Sequence, residues 1–235
     1  VAIDSLRYKL FMENRNQSLA ADLVDTNPWQ VGGRSAVNAV CFAGDTTYGL
    51  TPDPVPASSY HALVTAGTGL AGLTIAHAGS TMSNAIAIAK TFPTVVIDPA
   101  IGSDVVLFSP YVPDAVAGTA IEGWKATVLE YLEFVYDRLF ISQGTSGHFI
   151  LQPPIGEGIA GTQTWLDSAW VAIQELYRNL DKSVYSLGNS STLEMVGPTF
   201  VSASTGQLTQ AGHTAASGWA IAQLRPYMTK LSVSL

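Results

Sequence analysis

The stretch 61-HALVTAGTGLAGLTIAHAG-79 decides how the chain is read, because its glycines suit two opposite architectures. Gly67, Gly69 and Gly72 have the spacing G-x-G-x-x-G. A dinucleotide-binding turn with that spacing needs a strand before the glycines and a helix opening on them. It also needs an acidic residue about 20 positions further on. Here Tyr60–Gly67 can supply the strand and Asp98, at the end of Thr94–Asp98, the carboxylate. The spacing then fails, since Asp98 lies twenty-six residues past Gly72 and Gly79 interrupts the would-be helix; glycine is costly inside a helix. The preferred reading is a small-residue turn where two backbones come close.

Outward from this stretch, charge is scarce. Of 235 residues, 12% are charged while 47% are apolar, and the net charge is −7. Soluble domains average about 25% charged residues. No Asp, Glu, Lys or Arg occurs between Asp53 and Lys90, or between Glu194 and Arg225. These tracts are filled with Ala, Gly, Ser and Thr rather than with the roughly 20 apolar residues of a membrane span, so no span is expected. Eleven scattered Lys and Arg residues make no basic stripe, which argues against nucleic-acid binding. Cys41 is alone and permits no intrachain disulfide. No charged leader followed by an apolar run opens the sequence, so no secretory signal is expected.

The two clearest elements are helices. Over about 120–141, Trp124, Val128, Leu132, Val135 and Leu139 recur three and four apart. Thr119 and Glu122 fit a capping box in front of it. Over about 164–180, Trp165, Ala169, Ile173, Leu176 and Leu180 form a second stripe. Short runs at 35–44, 93–100 and 103–113, β-branched and bounded by Pro or Gly, predict strands. Periodicity leaves 80–92 and 207–235 open between helix and strand. The expected class is α+β, with the two amphipathic helices packed against β structure. Residues 1–57 are expected to form an N-terminal arm ending in the Pro52-Pro54-Pro56 connector, and 58–235 the main domain.

Candidate chemistry is thin. His61, His77, His148 and His213 are isolated, with no metal-ligand spacing, so no metal is expected. Ser146 near His148, and His77 with Ser80, are pairings that four histidines and many serines produce by chance. Asp98 and Asp104 flank a tight turn, where aspartates commonly bond their own backbone. The acidic row Glu130, Glu133 and Asp137 fits a solvated helix face.

Low charge and abundant small residues therefore suggest a subunit surrounded by copies of itself. The expected function is structural and non-enzymatic: a virion coat or tail-tube protein, located in a virion. Its partners would be copies of itself and other virion proteins, with no cofactor. Gly67, Gly69, Gly72, Trp29 and Trp219 are the subunit-contact candidates. The alternative is an α/β enzyme holding a dinucleotide at Gly67, Gly69, Gly72 and Asp98.

Overall fold

The run Ser103–Ser109, Ser-Asp-Val-Val-Leu-Phe-Ser, is too short and too β-branched for a helix, and it becomes the central strand of a sheet. The computed structural model describes residues 39–44, 59–74, 81–91, 103–139, 147–154, 161–189, 200 and 208–231. Within them, five strands alternate with helices. They are β1 (Ala39–Gly44), β2 (Ala71–Thr74), β3 (Ser103–Ser109), β4 (His148–Leu151) and β5 (Tyr185–Leu187). The helices are α1 (Tyr60–Thr68), α2 (Met82–Thr91), α3 (Val112–Ala117), α4 (Ile121–Leu139), α5 (Gln163–Asn179) and α6 (Gln210–Leu231). The strand order is β2-β1-β3-β4-β5, and every pairing is parallel.

The expected mixture of helices and short strands is present. Both amphipathic helices, α4 and α5, pack on the sheet as their apolar stripes require. The ambiguous segment 80–92 is largely helical as α2, and within 207–235 the residues Gln210–Leu231 are helical as α6. The proposed capping box is not used: the Thr119 hydroxyl donates to Asp114 Oδ1 instead, 2.7 Å away. Of the expected N-terminal segment 1–57, residues 39–44 are β1 within the sheet; the rest of it, with Trp29 and the Pro-rich connector, and the expected strand at 93–100 lie outside the described residues.

Strand side chains alternate between the two faces of the sheet. Val106 and Phe108 of β3, with Phe149 and Leu151 of β4, join the core made with α2, α4 and α5. Val105, Leu107 and Ile150 face the other way, toward α1 and α6. The first core is aromatic. Trp124 meets Trp165 edge-on at 5.2 Å between ring centroids, and Phe149 stacks on Tyr185 at 5.1 Å. In the second core Val64 of α1 lies with Ala216, Trp219, Ala220 and Leu224 of α6. The two uncharged tracts of the sequence therefore meet each other inside one chain.

The glycine stretch has the reverse of the dinucleotide polarity. Tyr60–Thr68 is a helix, not a strand. The Ser59 side chain accepts the Ala62 N–H at its start, and Gly69 ends it at φ 72°. A positive φ of this kind is what glycine supplies at the end of a helix. The strand β2 follows the glycines, with Gly72 opposite Val40 of β1. The chain thus enters the glycines from a helix and leaves them as a strand, so no helix N-terminus stands ready for a pyrophosphate.

Candidate active site at the carboxyl end of the sheet

In an open parallel sheet, ligands bind beyond the carboxyl ends of the strands, where the strand order reverses. From β1 the chain first adds β2 on one side and then crosses to add β3 on the other. The reversal thus lies between β1 and β3. Their last residues, Gly44 and Ser109, are opposite one another in register. Register also aligns Phe108 with Leu151, so Gln152 continues the same row on the next strand.

Alternation places Ser109 and Gln152 on the α1–α6 face, because Val105, Leu107 and Ile150 lie there. Two apolar strands therefore end in polar residues just where the crevice opens. Both are 2% exposed. The starts of α1 and α6 bring Tyr60, His61 and His213 to the same region, all buried. Gln152 Nε2 donates to Tyr60 Oη at 2.8 Å. The Tyr111 hydroxyl donates to the Gln152 carbonyl at 2.6 Å. The Tyr60 N–H donates to His213 Nδ1 at 3.0 Å. These bonds tie two helices and two strand ends into one buried polar layer.

Burial holds His61 neutral. Burial, and then the nearby His213, pull the His61 pKa from the ordinary 6.5 down to about 3. His213 accepts a backbone N–H at Nδ1, so its neutral ring carries the proton on Nε2.

The segment after β3 is fastened at several points. Trp124 Nε1 donates to the Pro110 carbonyl at 3.0 Å. Pro113 sits in the first turn of α3, where its missing N–H costs nothing, and Gly118 closes that helix at φ 64°. Asp114 accepts the Met82 N–H at 2.8 Å and the Thr119 hydroxyl. Burial raises the Asp114 pKa, and these two donors oppose the rise. One carboxylate thereby joins the starts of α2 and α3. Held in this way, the rim of the crevice beside Ser109 is set before any ligand arrives.

The residues singled out from sequence are dispersed. Gly67 lies in α1 against Ile221 of α6; an added Cβ would come 2.5 Å from Ile221 Cδ1. Gly69 caps α1 and Gly72 is in β2. Trp219 is buried in α6, and its Nε1 donates to the Asn189 carbonyl at 2.8 Å. Asp98, His77, Ser80 and Ser146 are outside the described residues, as is Trp29. Asp104 sits near the amino end of β3, away from the crevice. His148 opens β4 at the same amino end, where Nε2 lies 2.9 Å from Ser186 Oγ. From the acidic row, Glu130 pairs with Lys90. Among the described residues no group of His, Cys, Asp and Glu is placed to hold a metal ion, and no helix is long and apolar enough to cross a membrane.

Tyr60, Ser109, Tyr111 and Gln152 were not among the sequence candidates. A signal for two of them existed: Phe-Ser-Pro at 108–110 and Leu-Gln-Pro at 151–153 each end an apolar strand with a polar residue before proline.

No protein-family model matches the chain, and no curated protein matches it in sequence. Solved structures do match it in fold. A lipase/acylhydrolase from Enterococcus faecalis superposes with a TM-score of 0.60 at 12% identity, covering 81% of this chain and 96% of that one. A member of the lipolytic protein G-D-S-L family from Veillonella parvula DSM 2008 gives 0.59 at 13% identity, over 79% and 96%. A carbohydrate esterase family 3 protein from Talaromyces cellulolyticus gives 0.59 at 11% identity, over 82% and 99%. At such identities the likeness is one of fold. It overturns the expectation of a virion coat or tail-tube subunit, because these matching structures are described as lipolytic proteins and esterases, and it leaves virion location without support. The dinucleotide alternative falls with the reversed glycine polarity.

Proposed function

We propose that this chain is a hydrolase that cleaves a carboxylic ester at the carboxyl end of its sheet, with the Thr46 hydroxyl as nucleophile. The observation that carries this reading is the place of Gly44. It ends β1 at the β1/β3 reversal, and it begins the only Gly-Asp pair in the chain, Gly44-Asp45-Thr46-Thr47. Solved structures of this fold are described as lipolytic proteins of the G-D-S-L family. Thr46 occupies the serine position of that motif and offers the same hydroxyl chemistry.

In this reading Thr46 Oγ1 bonds to the ester carbonyl carbon. The alcohol then leaves as its C–O bond breaks, and water repeats the attack to release the acid and restore the threonine. The proton from Thr46 needs an acceptor that can pass it to the leaving alcohol. His61 is buried with its pKa pulled down to about 3, His213 Nδ1 is taken up by the Tyr60 N–H, and His148 is at the amino end. His77, three residues past the end of β2, is the histidine whose chain position suits the role.

Hydrolysis of p-nitrophenyl acetate and butyrate tests the proposal. Thr46→Ala is expected to lower kcat at least about a hundredfold, and His77→Ala to remove the acidic limb of the pH–rate profile. Unchanged turnover in Thr46→Ala sinks Thr46 as nucleophile, and an inert parent protein sinks the ester reading.

A further inference from the structure

Ser109 closes β3 with a polar side chain on the α1–α6 face. Its Oγ is buried and, among the described residues, meets no hydrogen-bonding group, and its residue is 2% exposed. The surrounding groups are already engaged. The Tyr111 hydroxyl is given to the Gln152 carbonyl and the Gln152 amide to Tyr60. The next residue, Pro110, has no N–H, and its carbonyl receives Trp124 Nε1. A buried hydroxyl left without a partner costs about 1–3 kcal/mol. Native structures keep few such groups, and those they keep call for an explanation.

The place of this one supplies the explanation. Ser109 is the last residue of β3, directly across from Gly44 at the strand-order reversal. Its backbone is held by the sheet on one side and by the anchored segment Pro110–Thr119 on the other. A hydroxyl so held loses little entropy when a ligand arrives.

We infer that Ser109 is a substrate-contacting residue whose hydroxyl donates to the carbonyl oxygen of the bound ester, with the bond strengthening as that oxygen gains negative charge. The inference rests on the ester-cleaving reading and adds to it a donor from β3 that is independent of the Gly44–Thr47 segment. A preorganised donor aimed at a developing oxyanion acts on kcat more than on KM.

The experiment compares Ser109→Ala and Ser109→Cys with the parent protein on p-nitrophenyl acetate, together with thermal unfolding of each. Ser109→Ala is expected to lower kcat about a hundredfold with KM changed less than about threefold, and Tm unchanged or raised because the orphan hydroxyl is gone. Ser109→Cys, a weaker donor of similar size, is expected to fall between. If Ser109→Ala keeps its kcat while Thr46→Ala is inactive, the Ser109 inference fails and the ester reading stands. If Ser109→Ala loses activity and several degrees of Tm together, the residue is structural and the inference fails. A parent protein inert toward esters removes both.

Discussion

The two faces of the sheet are built on different principles. On the α4–α5 face large rings fill the space: Trp124, Tyr131, Phe108 and Phe149 are all at most 1% exposed. Its indoles are fixed by hydrogen bonds, Trp124 Nε1 to the Pro110 carbonyl and Trp165 Nε1 to the Thr119 carbonyl. On the α1–α6 face small residues bring the helices close, with Gly67 against Ile221 and with Ala216 and Ala220 buried. Toward the carboxyl end that face turns polar. The first face is a stability device. The second trades apolar burial for a layer of Tyr60, His61, Gln152, Ser109 and His213 at the crevice.

The difference can be broken first where it is largest. Trp124→Ala removes a fully buried indole and its bond to Pro110, and is expected to cost about 3–5 kcal/mol. Urea unfolding measures it, and a cost under 1 kcal/mol would mean that the aromatic core is not the main support.

The polar face has a weaker point, set by pH. His61 has its folded pKa depressed to about 3 from 6.5. The folded state therefore holds it neutral, while the unfolded chain takes up a proton below 6.5. Stability is fully present above that pH and declines as pH falls toward 3, by up to about 1.4 kcal/mol per unit. Lowering pH from 6.5 to 5 is expected to cost about 2 kcal/mol, and His61→Leu to flatten that slope in paired unfolding curves. An equal slope in both proteins would assign the acid sensitivity to other groups.

The smallest expected effect sharpens the comparison. Gly67→Ala puts a methyl against the terminal carbon of Ile221, which can rotate away. The strain is offset by the better helix propensity of alanine, worth about 1 kcal/mol. A net change within about 1 kcal/mol is expected. A loss of several kcal/mol would show that the small-residue face is as tightly specified as the aromatic one.

How far each face was legible follows from the same contrast. The stripes of α4 and α5 can be read residue by residue, because large apolar side chains at helical spacing have one way to be buried. The helices α1 and α6 carry Ala, Gly, Ser and Thr, whose periodicity is faint. The stretch from Tyr60 to Gly67 was open to a strand reading for that reason. Their lack of charge was visible, but its cause was not: the two tracts cover each other, and sequence cannot tell a neighbouring segment from a neighbouring molecule.

The candidate site was less legible still. Ser109 and Gln152 are forty-three residues apart in the chain and side by side in the sheet. Gly44 closes the run expected as the first strand, yet Gly44-Asp45-Thr46 carries meaning only once β1 is placed at the strand-order reversal. By itself the sequence determined the two large helices, the runs that become β1 and β3, and the scarcity of charge, since these follow from local spacing and composition. Only the tertiary structure decided that the strands lie parallel in the order β2-β1-β3-β4-β5 and that their polar ends meet. Strand order depends on contacts between distant segments, and no local pattern encodes it.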